Sequence, residues 1–483
     1  MNLDQIIDTV TAGREEYDLK PFFYTPLTDV DSVEYRHEVI RDLENLALLE
    51  CLKTFAQEMH AVRKQLAHTD KLHYPYQKKR WLLDAAERYC NTVRRLVHDL
   101  SGVEKKSRGL IAFCTYLSDY ARSDRFKSLL VETETLEEEL SRIKYCILIK
   151  GDAVTVRKYE SEPDYSTEVD ETFRKFRQGS AKDYQVEFPN TVDMNHIEAQ
   201  ILDFVARLYP EIFSGLDDYC TRNSDFMDSA ITIFDREIQF YFSWLEYIAT
   251  FSRAGLKFCY PRLSNLCKAI RSRGGFDLAL ARKLVGENTR VVCNDFYLEG
   301  DERIFVVSGP NQGGKTTFAR TFGQLHYLAS LGCTVPGSEA RLFLFDNLFT
   351  HFEKEEDIRT LHGKLEDDLT RIHDILDKAT SNSIIVMNEI FTSTTLEDQI
   401  FLSGKIMERI VGLDALCVWV TFIDEMASYG VQTVSMVSSV VADNPALRTY
   451  KLERRPADGL AYAMSIAEKY RVTYDYLKQR LQA

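Results

Sequence analysis

No apolar run in this chain approaches the roughly 20 residues that a membrane-spanning helix requires, so the sequence offers no transmembrane segment. The opening residues Met1-Asn-Leu-Asp-Gln5 lack a basic start and an apolar core, so a secretory leader is not expected. Low-complexity tracts and short-period repeats are missing as well. Cysteine occurs ten times but is scattered, with no C-x-x-C pair. That removes the usual spacing of a zinc site and leaves reduced thiols in a cytoplasmic chain as the simplest account. Proline is scarce, at 11 of 483 residues, and glycine is thin in the first half, so little there interrupts long helices. Positive charge is in deficit: Lys and Arg number 60 against 74 Asp and Glu, a net charge of −14. The molecule as a whole is therefore ill-suited to non-specific attraction for nucleic acid.

What is present is ordinary for a soluble globular protein, with 45% apolar and 28% charged residues. The length suits two to four domains. One stretch runs against the overall charge. From Arg63 to Arg108 cations dominate, including Lys78, Lys79, Arg80, Arg94 and Arg95. They form either a local binding surface or a set of solvated helix faces.

The first half reads as mostly helix. Met227, Ile231, Phe234, Ile238, Tyr241, Leu245 and Ile248 alternate steps of four and three, a heptad seam on one long helix. Leu136, Leu140, Ile143 and Ile147 give a shorter stripe ending near Lys150. Such helices serve as levers between sites or simply pack as a bundle. Around Gly151-Asp152 the pattern changes: Cys146–Lys150 and Ala153–Tyr159 resemble two strands about a tight turn. An acidic loop, 160–171, and the basic, aromatic Phe173-Arg-Lys-Phe-Arg177 follow. Lys150, Arg157, Lys158, Arg174, Lys175 and Arg177 are the candidate nucleic-acid contacts, because neutralising phosphate supplies sequence-independent affinity. A solvated hairpin with tucked phenylalanines is the alternative.

From about residue 285 the chain alternates strand and helix. Apolar strands are expected at Ile304–Val307, Ile384–Met387 and Leu416–Thr421, with a helical stripe at Ile400, Gly404, Met407 and Val411. That is a parallel α/β domain, with a boundary between 275 and 288.

The sharpest signal lies inside it. Gly309, Pro310, Asn311, Gln312, Gly313, Gly314, Lys315 and Thr316 fit G-x-x-x-x-G-K-[ST], the phosphate-cradling loop of nucleotide hydrolases, and Thr317 extends it. The glycines let successive N–H groups face phosphate oxygens. Lys315 reaches the β and γ phosphates, and the Thr316 hydroxyl offers itself to Mg²⁺. A strand precedes the loop, and Phe318, Phe322, Leu325 and Ala329 follow at helical spacing up to a stop at Gly332. Ile384-Ile-Val-Met-Asn388-Glu389 supplies the acidic element of a neighbouring strand. Glu389 is the candidate to orient or deprotonate water. Asn388 stands where an aspartate usually meets Mg²⁺, and predicts a weaker metal hold and slow hydrolysis. His326, His351, His362 and His373 have no companion ligand set, so surface or packing roles are expected for them.

The order and wording of these segments resemble the ATPase domain of the MutS mismatch-repair proteins. Their G-P-N-M-G-G-K-S-T is similar to Gly309–Thr317, and their I-L-x-x-A-T to Ile375–Thr380. Their D-x-I-F-T is similar to Asp346–Thr350, and their V-P-A to Val335-Pro-Gly337. Their D-E-I-G-R-G-T-S-T-x-D becomes Asn388–Asp398, and Pro26–Asp29 with Tyr35-Arg36 looks like the opening of their core lever domain. The likeness is dense over 286–483 and weak but collinear over 20–285. It implies an ABC-like P-loop NTPase domain of MutS type over 286–483, with C-terminal dimerisation helices in Gly459–Arg480. It further implies a mainly helical lever and clamp domain over 1–285, with a clamp insert near 146–200. Paired ATPase domains would share composite ATP and Mg²⁺ sites in a homodimer, and the levers would close clamps on DNA.

The departures are equally specific. The mismatch-recognition domain has no room before the lever, and no nuclease-like tail is expected after residue 483. The trans-acting serine segment S-T-F-x-x-E aligns with Gly363–Asp368, and the T-H motif with Thr421-Phe422. The adenine-stacking Phe aligns with Val291, before Cys293-Asn-Asp295. The expectation is a cytoplasmic, dimeric, ATP-switched clamp on duplex or branched DNA that lacks mismatch specificity. It would be a slow Mg²⁺-dependent ATPase, with repair or recombination proteins as partners. The alternative is a nucleotide-stabilised assembly protein with little hydrolysis and no DNA. A chromosome-maintenance ATPase is disfavoured, since L-S-G-G and very long coils are missing.

Overall fold

The computed structural model describes residues 1–151, 153–161, 194–352, 363–441 and 444–457, with the single positions 474, 478 and 480. Contacts divide the chain into two compact units. One joins Met1–Arg41 to Arg236–Ala483; the other is Asp42–Asp235. Among the described residues no helix is long and apolar enough to cross a membrane.

The Asp42–Asp235 unit is built on long helices. Leu46–Thr69 starts at Asn45, whose side chain accepts from the Ala47 amide, and buries Leu48, Leu52, Phe55, Met59 and Val62 on one face. It packs against Pro75–Ser101, which returns Leu83, Ala86, Tyr89, Val93 and Leu96 to the same core. The cations of 63–108 sit largely in ion pairs along these helices. Arg80 meets Asp84 and Glu137 at 2.8 Å each, Lys79 meets Asp217, Arg94 meets Glu134, and Arg63 meets the buried Asp235. The solvated-face reading of that stretch describes them better than a free cationic surface.

The helix Asp124–Ser141 ends before Ile143, so the stripe expected to run to Lys150 is too long. Ile147 belongs instead to the strand Tyr145–Lys150, which pairs antiparallel with Ala153–Lys158, Lys150 opposite Ala153. Strand alternation and helical spacing overlap at such short range, and the hairpin won. The heptad helix is present as Ser229–Arg253, about 37 Å long at 1.5 Å per residue. It is more than a seam. Phe240, Phe242, Trp244, Tyr247 and Phe251 are buried besides Ile238, so its last part is surrounded by core.

The other unit centres on a six-stranded sheet. Its order is Leu348–His351, Ile384–Asn388, Leu416–Val420, Ile304–Ser308, Thr433–Val441, Asn444–Arg454. All neighbours are parallel except the last pair. The middle strands Ile304–Ser308, Ile384–Asn388 and Leu416–Val420 are buried at every position, which is why they read as unbroken apolar runs. The helix Lys315–Ser330 lies on this sheet. Its Phe318 and Phe322 meet Phe305 of the first strand and Phe296, with ring centres 5.4–6.0 Å apart. The helix stops at Ser330, and Gly332 follows at φ 71. A smaller sheet orders Arg262–Ser264, Glu339–Phe343, Ile270–Gly275 and Asn294–Leu298.

Candidate functional site

The octet spans the gap between the Ile304–Ser308 strand and the Lys315–Ser330 helix. Backbone conformation explains its residue types. Gly309 and Gly314 sit at φ 113 and φ 96, and Gln312 joins them at φ 59. A Cβ on Gly309 would lie 3.1 Å from the Ser438 amide. Glycine lets the loop pass that close to the Thr433–Val441 strand. Ser438 then ties the loop down, its hydroxyl donating to the Gly313 carbonyl at 2.6 Å. Gln312–Thr316 leads into the start of the helix, where unpaired amides and the helix dipole favour an anion.

Lys315 is 4% exposed. Its ammonium donates to the carbonyls of Gly309 and Pro310 at 3.1 and 3.2 Å and to Asn311 Oδ1 at 3.4 Å. The Phe422 ring, itself 47% exposed, covers it with the centroid 4.3 Å away. Glu389 Oε1 stands 3.8 Å from the same nitrogen. Burial draws the Lys315 ammonium below its ordinary value, while Glu389 works in the opposite direction. Thr316 and Thr317 are half-buried at the helix start. Asn388 ends the Ile384–Asn388 strand, buried, and its Oδ1 has no hydrogen-bond partner. A cavity of about 220 Å³ runs along Asn311–Thr317 between Glu389 and Tyr450.

The loop with Lys315 and Thr316 follows Ile304–Ser308, and Glu389 follows Asn388 at the end of Ile384–Asn388. The two strands are parallel and end on the same side of the sheet, but Leu416–Val420 lies between them, so the acidic element is one strand further away than the neighbouring position expected from sequence. A second, more apolar cavity of about 330 Å³ adjoins the first and shares Leu280, Gly314, Thr317 and Tyr450 with it. Val291, Leu280, Leu284 and Asn294 line it. Tyr450 is held at φ 58, and its carbonyl accepts from the Asn294 side chain at 3.1 Å. Lys150, Arg157 and Lys158 belong to the Asp42–Asp235 unit, where they are exposed on its hairpin. Arg174, Lys175 and Arg177 fall outside the described residues, as do His362 and nearly all of Gly459–Arg480. His326 is buried in the helix Lys315–Ser330, His373 is on the surface, and His351 is buried beside Asp368.

Residues 305–475 match the family model described as MutS domain V. Over that stretch the chain is similar to the MutS family. DNA mismatch repair protein MutS of Thermosipho melanesiensis is 31% identical over 151 residues, 31% of this chain and 18% of that protein. Endonuclease MutS2 of Geobacillus kaustophilus is 31% identical over 214 residues, 43% of the chain and 27% of the relative. MutS of Lachnoclostridium phytofermentans aligns over 427 residues at 23% identity, 84% of the chain and 42% of the relative. The chain therefore spans well under half the length of the curated MutS relatives it matches.

The octet and Asn388-Glu389 were visible in sequence. Ser438, Tyr450 and the Phe422 ring over Lys315 were not anticipated as contacts of the loop. Each comes from a strand or turn more than 100 residues away, and no local spacing marks it.

Proposed function

We propose that this chain is a MutS-type P-loop ATPase whose ATP-bound heads pair and whose helical lever and clamp region, 1–285, responds by holding DNA. The observation that carries this reading is the meeting of Lys315, the loop amides and Glu389 at the carboxyl side of the sheet, beside a cavity of about 220 Å³. Lys315 and the amides of 312–316 bind the phosphates. The adjoining apolar cavity takes the base, with Tyr450 offering an aromatic face where Val291 has none. The orphaned, buried Asn388 Oδ1 fits a metal-bound water as its missing partner. Thr316 and Asn388 would hold Mg²⁺, which when bound neutralises charge building on the phosphates. Asn388 brings no charge of its own, so the hold is weak and turnover slow. Glu389 orients water and takes its proton.

ATP drives pairing only by favouring the paired heads over the separate ones. The exposed Lys150, Arg157 and Lys158, with Arg174, Lys175 and Arg177, contact the DNA backbone. Light scattering with and without ATP, each with and without branched DNA, tests the reading. Pairing on ATP and further binding of DNA are expected from the unaltered chain, and neither from Lys315→Ala. An unchanged nucleotide affinity in Lys315→Ala, read by titration calorimetry, would remove Lys315 from its role.

One observation favours the alternative of an assembly protein without DNA. The cations of the Arg63–Arg108 stretch are mostly engaged by carboxylates of their own unit. That reading gives ATP-dependent pairing with a protein, not DNA, as the co-purifying partner.

A further inference from the structure

Glu389 and Phe391 both sit in the left-handed region, at φ 51 and φ 59. Neither is glycine, and a side chain with a Cβ is strained in that conformation. The turn that aims Glu389 toward Lys315 therefore persists because its surroundings hold it. Three bonds do so. The Glu389 amide donates to the Val420 carbonyl at 2.9 Å, and the Gln399 side chain donates to the Ile390 carbonyl at 3.0 Å. The third is unusual: the Phe391 amide donates to Asp368 Oδ2 at 3.2 Å.

Asp368 belongs to the helix Lys364–Lys378 and is 6% exposed. Its other oxygen, Oδ1, lies 3.1 Å from Nε2 of His351, a residue 1% exposed at the end of the outermost parallel strand. Burial alone would raise the Asp368 carboxyl. The His351 contact, the Phe391 amide and the Arg371 charge outweigh it and leave the group below its ordinary value. A buried carboxylate is a costly way to fill space, since an apolar side chain would pack there without desolvating a charge. One oxygen accepts from the turn, and the other stands against the imidazole at the strand end. The carboxylate thus hooks the helix to both.

We infer that Asp368, oriented by His351, is a positioning residue that fixes the Glu389–Phe391 turn and so the reach of the Glu389 carboxylate toward the loop. This rests on the proposed role of Glu389. It assigns a task to the helix Lys364–Lys378: a shift of that helix moves the turn through one hydrogen bond, with no contact to nucleotide. Hydrolysis can then respond to helix position while nucleotide binding does not.

The test compares Asp368→Ala and Asp368→Asn in the whole chain. Expected for Asp368→Ala is a fall of about tenfold or more in ATP turnover, with affinity for a non-hydrolysable ATP analogue within about twofold of the parent. Amide hydrogen exchange in the peptide carrying Phe391 should accelerate in the nucleotide-free protein. Asp368→Asn keeps an acceptor for that amide and should recover part of both losses. His351→Ala, which leaves the carboxylate in place, should give a smaller fall of the same kind and serves if Asp368→Ala does not fold. Turnover at the parental rate in Asp368→Ala overturns the inference. So does a parallel loss of affinity and rate with no recovery in Asp368→Asn, which would mark mere structural damage. A parent chain that binds ATP and never hydrolyses it would instead overturn the role of Glu389, and the hook with it.

Discussion

Lys315 is a cation kept almost dry. The loop carbonyls satisfy its donors, and the Phe422 face, 4.3 Å away, keeps water from it. A cation over a desolvated ring gains about 0.5–2 kcal/mol, and a dry ammonium attracts phosphate through a low local dielectric. Phe422→Ala should therefore weaken ATP binding roughly three- to thirtyfold, and Phe422→Leu, which covers without a π face, should fall between. Calorimetric affinities equal to the parent's in both variants would show the ring to be incidental. Asn388 makes the complementary case. Its buried amide oxygen has a vacancy for a partner but no charge. Asn388→Asp should lower the Mg²⁺ concentration needed for half-maximal turnover and raise the rate by more than about twofold, the factor expected at least from one added carboxylate at a metal. A rate within that factor of the parent's would mean the amide limits nothing.

Elements carried much of what the sequence could tell. The Gly309–Thr316 loop was legible as a glycine-rich passage from strand to helix, and Ile304–Ser308 and Ile384–Asn388 because buried parallel strands read as continuous apolar runs. The helix Ser229–Arg253 was legible as a helix but not as core. A heptad count sees one seam, whereas Phe240, Phe242 and Trp244 fill its other sides. The Asp368–His351 hook and Tyr450 were illegible, since strand order alone brings them to the site. His326 shows what such burial costs. It lies fully inside the helix Lys315–Ser330, its Nδ1 2.9 Å from the Phe322 carbonyl, and burial pulls its pKa down from 6.5 to about 4. Between those values the unfolded chain binds a proton that the native one refuses, so stability falls as pH drops through that window. The loss approaches about 3 kcal/mol at the acid end, at roughly 1.4 kcal/mol per pKa unit. Asp84 runs the other way: burial raises it to about 6, and it favours the native state as pH falls toward 4. His326→Leu should flatten the decline of Tm between pH 6.5 and 4.5, followed by calorimetry. An unchanged decline would place the acid sensitivity elsewhere.

At the scale of the whole molecule, charge decides between the two functional readings. A net charge of −14 repels DNA at long range, so binding must come from a small local set of cations. The Arg63–Arg108 stretch is a poor source, because breaking its ion pairs would cost much of what phosphate contacts return. The hairpin is a better one: Lys150, Arg157 and Lys158 are all exposed on paired strands. With Arg174, Lys175 and Arg177, three to six phosphates would be neutralised. The logarithm of the binding constant should then fall with the logarithm of salt at a slope of roughly −3 to −5, at about 0.9 per phosphate. Reversing Lys150, Arg157 and Lys158 together to Glu should weaken binding and flatten the slope by roughly 3, while ATP-dependent pairing stays as in the parent. Anisotropy of a labelled junction across a salt series measures both. If the slope is unchanged, the DNA contacts lie off the hairpin. If no binding appears at any salt while ATP still pairs the heads, the acidic surface has prevailed and the chain assembles with protein instead.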